Sequence, residues 1–178
     1  RSAATFESIG DLRGFGGKLG NAAIVHGYRG EFETAVELFN RAIGLAREYG
    51  ARSDEGRTIG NLALTYEEWG KYDLAERHFA EALEILREIG NRREEAIVLA
   101  NLGSLVATHG RYEEGLRYAR EAYDIHVEVE NLPYAAFVLG TVGACLHHLG
   151  RLDEAESALN ESLDRLRAHG HERGVAMV

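Results

Sequence analysis

The sequence predicts an all-α solenoid of antiparallel helix pairs, and three observations carry that expectation. The same landmarks return every 40 residues: Asn21, Asn61 and Asn101; Gly30, Gly70, Gly110 and Gly150; Phe32, Tyr72, Tyr112 and Leu152; Ala42, Ala82 and Ala122. Inside each period the apolar residues recur at helical spacing. Composition points the same way, because Pro133 is the only proline and long stretches are rich in Ala, Leu, Glu and Arg. A fixed period of this size marks an array in which each unit buries its apolar face on its neighbours.

Each period holds two helical patterns separated by a glycine. In the second unit the first helix is expected from about Asp54 to Trp69, with Ile59, Leu62, Ala63 and Tyr66 as its buried stripe. Leu99, Leu102, Gly103, Val106 and then Leu139, Val142, Gly143, Leu146 repeat that stripe. Gly70 ends the helix, since glycine takes the left-handed C′ conformation without penalty. The second helix is expected from near Asp73 to near Glu88, with Leu74, Ala75, Phe79, Ala82, Leu83 and Leu86 buried. Glu33, Asp73, Glu113 and Asp153 place a carboxylate at the positive end of each second helix. Gly50 and Gly90 close such helices. The third unit departs with Glu130-Asn131-Leu132-Pro133, and Pro133 belongs in the first turn of the next helix. Small residues at fixed points (Ala63, Gly103, Gly143; Ala75, Gly115, Ala155) allow close helix approach. Most of the 21 glycines sit on such landmarks and need no catalytic explanation.

The register makes 1–178 a single solenoid: 1–12 the second helix of a truncated repeat, then repeats at 13–50, 51–90, 91–130 and 131–170, with 171–178 opening another. Neither end reads as a polar capping helix, so the chain is expected to be a fragment of a larger protein.

The run Asn61-Leu62-Ala63, Tyr66, Gly70, Tyr72, Ala75, Phe79, Ala82 closely resembles the tetratricopeptide repeat, and the resemblance covers nearly the whole chain. The usual period of that family is about 34 residues; here both helices are longer and no proline closes each unit. This longer form is similar to the repeats of Pins-type adaptors and kinesin light chains, and to arrays on bacterial STAND ATPases and transcriptional regulators. The resemblance implies a right-handed TPR-like α-α superhelix whose first helices line a concave groove for peptides or protein segments.

The residues can be read for a groove without that analogy. Opposite the buried stripe lies a second face: Asn21, Ile24, Tyr28 in one unit and Arg57, Asn61, Leu64, Glu68 in the next. The following units give Ile97, Asn101, Ser104, Thr108 and then Phe137, Thr141, Ala144, His148. A face that merely met water should be rich in Glu, Lys and Arg. This one is mostly apolar or neutral, while charge concentrates on the second helices. An asparagine amide offers donors and an acceptor, so Asn21, Asn61 and Asn101 could pair with the backbone of an extended chain. The alternative is that each ties adjacent helices together, and Thr141 breaks the ladder. Arg57 is the only cation on the face and Glu68 opposes it, which argues against a clamp for a terminal carboxylate.

Other chemistries are set aside. A net charge of -9 argues against nucleic acid and an anionic membrane surface as partners. Cys145 is the only cysteine, so no internal disulfide exists and a cytoplasmic, reducing location is expected. Neither a membrane-spanning run nor a signal-peptide pattern is read. Adjacent His147 and His148 diverge by about 100° on a helix, and His169 and His171 flank a glycine; no ligand pair has metal-site spacing. Gly14-Phe15-Gly16-Gly17-Lys18 superficially resembles a phosphate loop but lacks its spacing and a preceding strand, and the register places it at a loop and a frayed helix start. Arg92-Arg93-Glu94-Glu95 reads as a solvated loop run. No nucleophile–base set emerges, so neither an enzyme nor a cofactor is expected. The expected function is a protein-interaction scaffold binding an extended peptide or partner segment. A regulatory sensor arm of a larger ATPase or transcription factor is the alternative, and self-association through the truncated ends is a third reading.

Overall fold

The structure is a computed structural model that describes residues 12–168. Among the described residues there are eight helices and no strand: α1 (Leu12–Tyr28), α2 (Phe32–Glu48), α3 (Arg52–Glu68), α4 (Tyr72–Glu88), α5 (Arg92–Thr108), α6 (Tyr112–Glu128), α7 (Leu132–His148) and α8 (Leu152–Ala168). Every one is 17 residues long. Two such helices with their short links fill the period of 40 residues, so the longer repeat arises from longer helices. The expectations for residues 1–11, for 171–178 and for His169 and His171 lie outside the described residues.

Each link is only three residues long, and one device closes it. At every turn but the one at Glu130 a glycine takes positive φ (Gly30 75°, Gly70 75°, Gly110 80°). Its N–H and that of the next residue return to the last helical carbonyls, as in Gly70 N to Glu67 O at 2.9 Å and Lys71 N to Tyr66 O at 2.8 Å. The carbonyl of Lys71 then accepts the first bond of α4, from Ala75 N at 3.0 Å. Lys71 therefore closes one helix and opens the next. Side-chain caps are missing at Glu31, Ala51, Lys71, Arg111 and Asn131. First-turn carboxylates such as Glu33, Asp73 and Glu113 face the helix dipole instead. Glu130 stands where the register places glycine and still adopts φ 55°.

The described residues form two compact units that divide between Asn91 and Arg92. In the first, α1 pairs with α2, α3 pairs with α4, and α2 packs on α3. Phe39, Phe79, Ile59, Leu62 and Leu86 are fully buried there. Each large apolar side chain so buried contributes about 1.5–3 kcal/mol. Tyr66 stays half-exposed, stacking on Trp69 (6.2 Å) and His78 (5.3 Å), with Phe32 on the far side of Trp69 (5.6 Å). Glu55 is buried in the first turn of α3. Arg47 Nε and Arg52 Nη1 each donate to it at 2.7 Å, and these arginines also reach Glu81 and Glu88 on α4. Burial pushes the Glu55 carboxyl up, but the two arginine hydrogen bonds outweigh it and hold the group below the usual carboxylate range.

In the second unit α5 pairs with α6, α7 with α8, and α6 packs on α7. Gly103 and Gly115 meet at the α5–α6 contact: a Cβ on Gly115 would lie 2.9 Å from Gly103 O and 2.8 Å from Ala107 Cβ. Ser162 Oγ donates to Ala136 O at 2.7 Å in the α7–α8 contact. The run 92–95 is the first turn of α5, not a loop as its charge suggested, and Glu95 is 2% exposed with Arg92 donating at 2.6 Å. A carboxylate at that register position is buried and held by arginines, as Glu55 is by Arg47 and Arg52, which charge counting along the chain does not reveal. The glycines at 14, 16 and 17 likewise lie within α1. No helix among the described residues is long and apolar enough to cross a membrane.

Candidate binding face of the first helices

In the first unit α1 and α3 carry the expected face. Asn21 and Glu68 are exposed, Tyr28 is 79% exposed, and Ile24, Arg57, Asn61 and Leu64 are half-buried. Gly27 brings α1 against α3, since a Cβ there would lie 3.6 Å from Thr65 Oγ1. The expected opposition of Arg57 and Glu68 does not hold. Arg57 pairs instead with Asp54 at 3.1 Å, three residues earlier on the same helix. Eleven residues of helix put Arg57 and Glu68 about 16 Å apart along the axis.

In the second unit the face belongs to α5 and α7. Ile97, Asn101 and Thr141 are half-buried, while Ser104, Thr108, Phe137, Ala144 and His148 are exposed. All of these except Ile97 line one open trough of about 940 Å³. Two aromatic residues that the face pattern did not include join them, Tyr112 and Tyr134. Tyr112 stacks on His148 with ring centroids 4.3 Å apart and planes within 7°. It belongs to the second helix of its pair, so a pattern confined to first helices passes over it. Tyr134 stands at the register position of Asp54 and Glu94, and that exchange of charge for an aromatic ring was the available signal.

The polar groups of the face fall into two kinds. Thr108 Oγ1 donates to Leu105 O at 2.8 Å and is already engaged. The side-chain amides of Asn21, Asn61 and Asn101 make no hydrogen bond to the protein among the described residues; at Asn61 it is the backbone carbonyl that accepts from Thr65 Oγ1, at 3.2 Å. Cys145 lies at the trough floor, 1% exposed, and burial pushes its thiol up, so it behaves as a small apolar group. No group of three or more His, Cys, Asp or Glu among the described residues is arranged to hold a metal ion.

Short Schellman-linked helix pairs in register, with a mostly uncharged outward strip along their first helices, define a helical-hairpin repeat protein. Residues 17–88 and 89–168 match the Tetratricopeptide repeat family, and the chain belongs to it. Repeats of this family generally mediate protein–protein interaction. Solved structures of similar fold include BtubC (BKLC) from P. vanneervenii, 20% identical with a TM-score of 0.75 over 96% of this chain and 78% of that one. Aspartyl phosphate phosphatase F from Bacillus subtilis is 15% identical with a TM-score of 0.86, over 91% of this chain but 43% of that one. A kinesin light chain-type protein from Podosopora anserina with nearly identical TPR-like repeats is 13% identical with a TM-score of 0.70, over 85% and 74%. No curated protein matches the sequence.

Proposed function

We propose that this chain is a protein-interaction scaffold whose first helices offer, in each of the two units, an outward face to an extended peptide or partner segment. The observation that carries the reading is the condition of that face. Its side chains stay exposed or half-exposed, few are charged, and its asparagine amides have no hydrogen bond to the protein among the described residues. An amide held at a half-buried site and not engaged by its own chain is a ready partner for a foreign backbone. Ile24, Tyr28, Leu64, Ile97 and Phe137 would supply selectivity beside it.

The test uses 12-residue peptides selected from a random display library on the intact chain. The Asn61→Ala, Asn101→Ala double variant should bind them about tenfold more weakly, a loss of about 1.4 kcal/mol, while its helical melting curve stays close to the parent's. A double variant that unfolds makes the asparagines helix ties and overturns the reading.

A second reading, a regulatory arm on a larger ATPase or transcription factor, draws support from one observation. The fold of this chain matches 43% of aspartyl phosphate phosphatase F at a TM-score of 0.86, so such an array does stand inside a longer protein. A nucleotide- or DNA-binding module encoded beside this stretch would favour it.

A further inference from the structure

The trough in the second unit has a chemistry of its own, and α7 supplies it. Register equivalents show the charges of α3 replaced: Tyr134 stands for Asp54, Phe137 for Arg57 and His148 for Glu68, where α5 has Glu94, Ile97 and Thr108. Helix α7 contains no Asp, Glu, Lys or Arg at all. Its inner side, including Ala135, Leu139, Val142 and Leu146, is buried in the core. Its outer side nevertheless presents Tyr134 at 51% and Phe137 at 43% exposure. A helix apolar on both faces is expected to have both covered. Only one is.

We propose that this trough receives a charge-free stretch of an extended partner chain, with an aromatic or aliphatic side chain seated against Tyr134 and Phe137. The proposal rests on the peptide-binding reading above and adds the chemistry of the occupant. Charge complementarity favours a neutral occupant. The chain is 28% charged with net charge -9, yet no residue lining the trough is Asp, Glu, Lys or Arg. A carboxylate or ammonium brought there loses part of its water and meets no Asp, Glu, Lys or Arg as counter-charge, a net cost that a neutral side chain escapes. Backbone chemistry selects an extended segment over a helix. The side chains of Asn101, Ser104 and Thr141 make no hydrogen bond to the protein among the described residues. A helix has its own backbone groups paired, whereas an extended strand needs such partners. The space, about 940 Å³, lies at the upper end of the roughly 300–1,000 Å³ that holds a drug-sized group, enough for a short run of residues.

The test is fluorescence anisotropy of the whole chain with four sets of fluorescein-labelled, end-capped decapeptides. One set is neutral with a Phe–Leu pair, two carry Glu or Lys beside that pair, and one is neutral without large side chains. The neutral Phe–Leu set should bind about tenfold tighter or more than the other three. Phe137→Ser and Ala144→Glu should each weaken it by about tenfold, the range expected of a buried aromatic anchor and a misplaced charge. Circular dichroism melts establish that both variants fold, and Ala144 is an exposed position. The proposal is overturned if a charged set binds as well as the neutral one, or if both folded variants keep the parent affinity. Charged peptides whose binding is lost in the Asn61→Ala, Asn101→Ala variant would overturn this inference and leave the groove reading standing. Failure of every set to bind overturns both.

Discussion

His126 occupies a core position that the register gives to Leu86 and Leu166, and all three are 0% exposed. Asn131 Nδ2 donates to its Nδ1 at 3.3 Å, while Nε2 has no hydrogen-bond partner among the described residues. Burial pushes the imidazole below its ordinary range, and Arg93 on α5 pushes it the same way; Tyr134 on α7 packs against the ring at 5.5 Å. Below pH ~6.5 the unfolded imidazole takes a proton that the folded one refuses. Stability from this group is therefore complete above that pH and falls as pH drops toward the lower folded value, by at most about 1.4 kcal/mol per unit. Urea melts at pH 5, 6 and 7.5 should show that His126→Leu flattens the acid loss. The variant should also be more stable at pH 7.5, by about 1–3 kcal/mol, the cost of an unpaired buried polar group. A second residue-scale prediction concerns Glu130. Its φ of 55° costs a side-chain-bearing residue about 1 kcal/mol. Glu130→Gly should relieve it and raise Tm slightly, a rise partly offset by the greater freedom of glycine in the unfolded chain.

Helix pairs differ in how closely they approach. The α3–α4 pair tolerates Ala63 and Ala75 where the α5–α6 pair has Gly103 and Gly115. A methyl on Gly115 would meet backbone at 2.9 Å, and backbone cannot swing aside as a flexible side chain can. Gly115→Ala should lower stability by about 1–3 kcal/mol through overpacking, read as a fall in Tm. The same change at Gly44, with open space around its Cβ position, should raise Tm by the helix propensity difference. Glu55 acts at the same scale, since its arginines tie α2, α3 and α4. Its folded carboxyl is held low, so its contribution is present above the unfolded range near pH 4 and is lost as pH falls through the folded value. Glu55→Ala should cost about 1–3 kcal/mol at neutral pH, through loss of its two charge-assisted hydrogen bonds, while the half-exposed Arg47 and Arg52 keep Glu81 and Glu88, and it should remove that acid dependence.

Across the whole molecule, charge and binding face are segregated. The net charge of -9 resides mainly on second helices, and the trough carries none of it. Affinity for the neutral peptides should therefore change less than about twofold between 0.05 and 0.5 M salt, since screening acts on charged pairs. A steep fall with salt would mean that the surrounding charges, not the trough, hold the ligand.

The period of 40 residues, the two helices per unit and most of the buried stripe, from which Tyr66 departs by staying half-exposed, were legible along the chain. Helix periodicity and glycine-closed turns are local properties, so a single strand of text carries them. Pairings between helices are different. That Glu55 and Glu95 turn inward, and that Tyr112 and Tyr134 complete the trough, depend on which faces of separate helices meet. Those meetings are set by the distance between axes, which small residues such as Gly103 and Gly115 permit but only packing fixes.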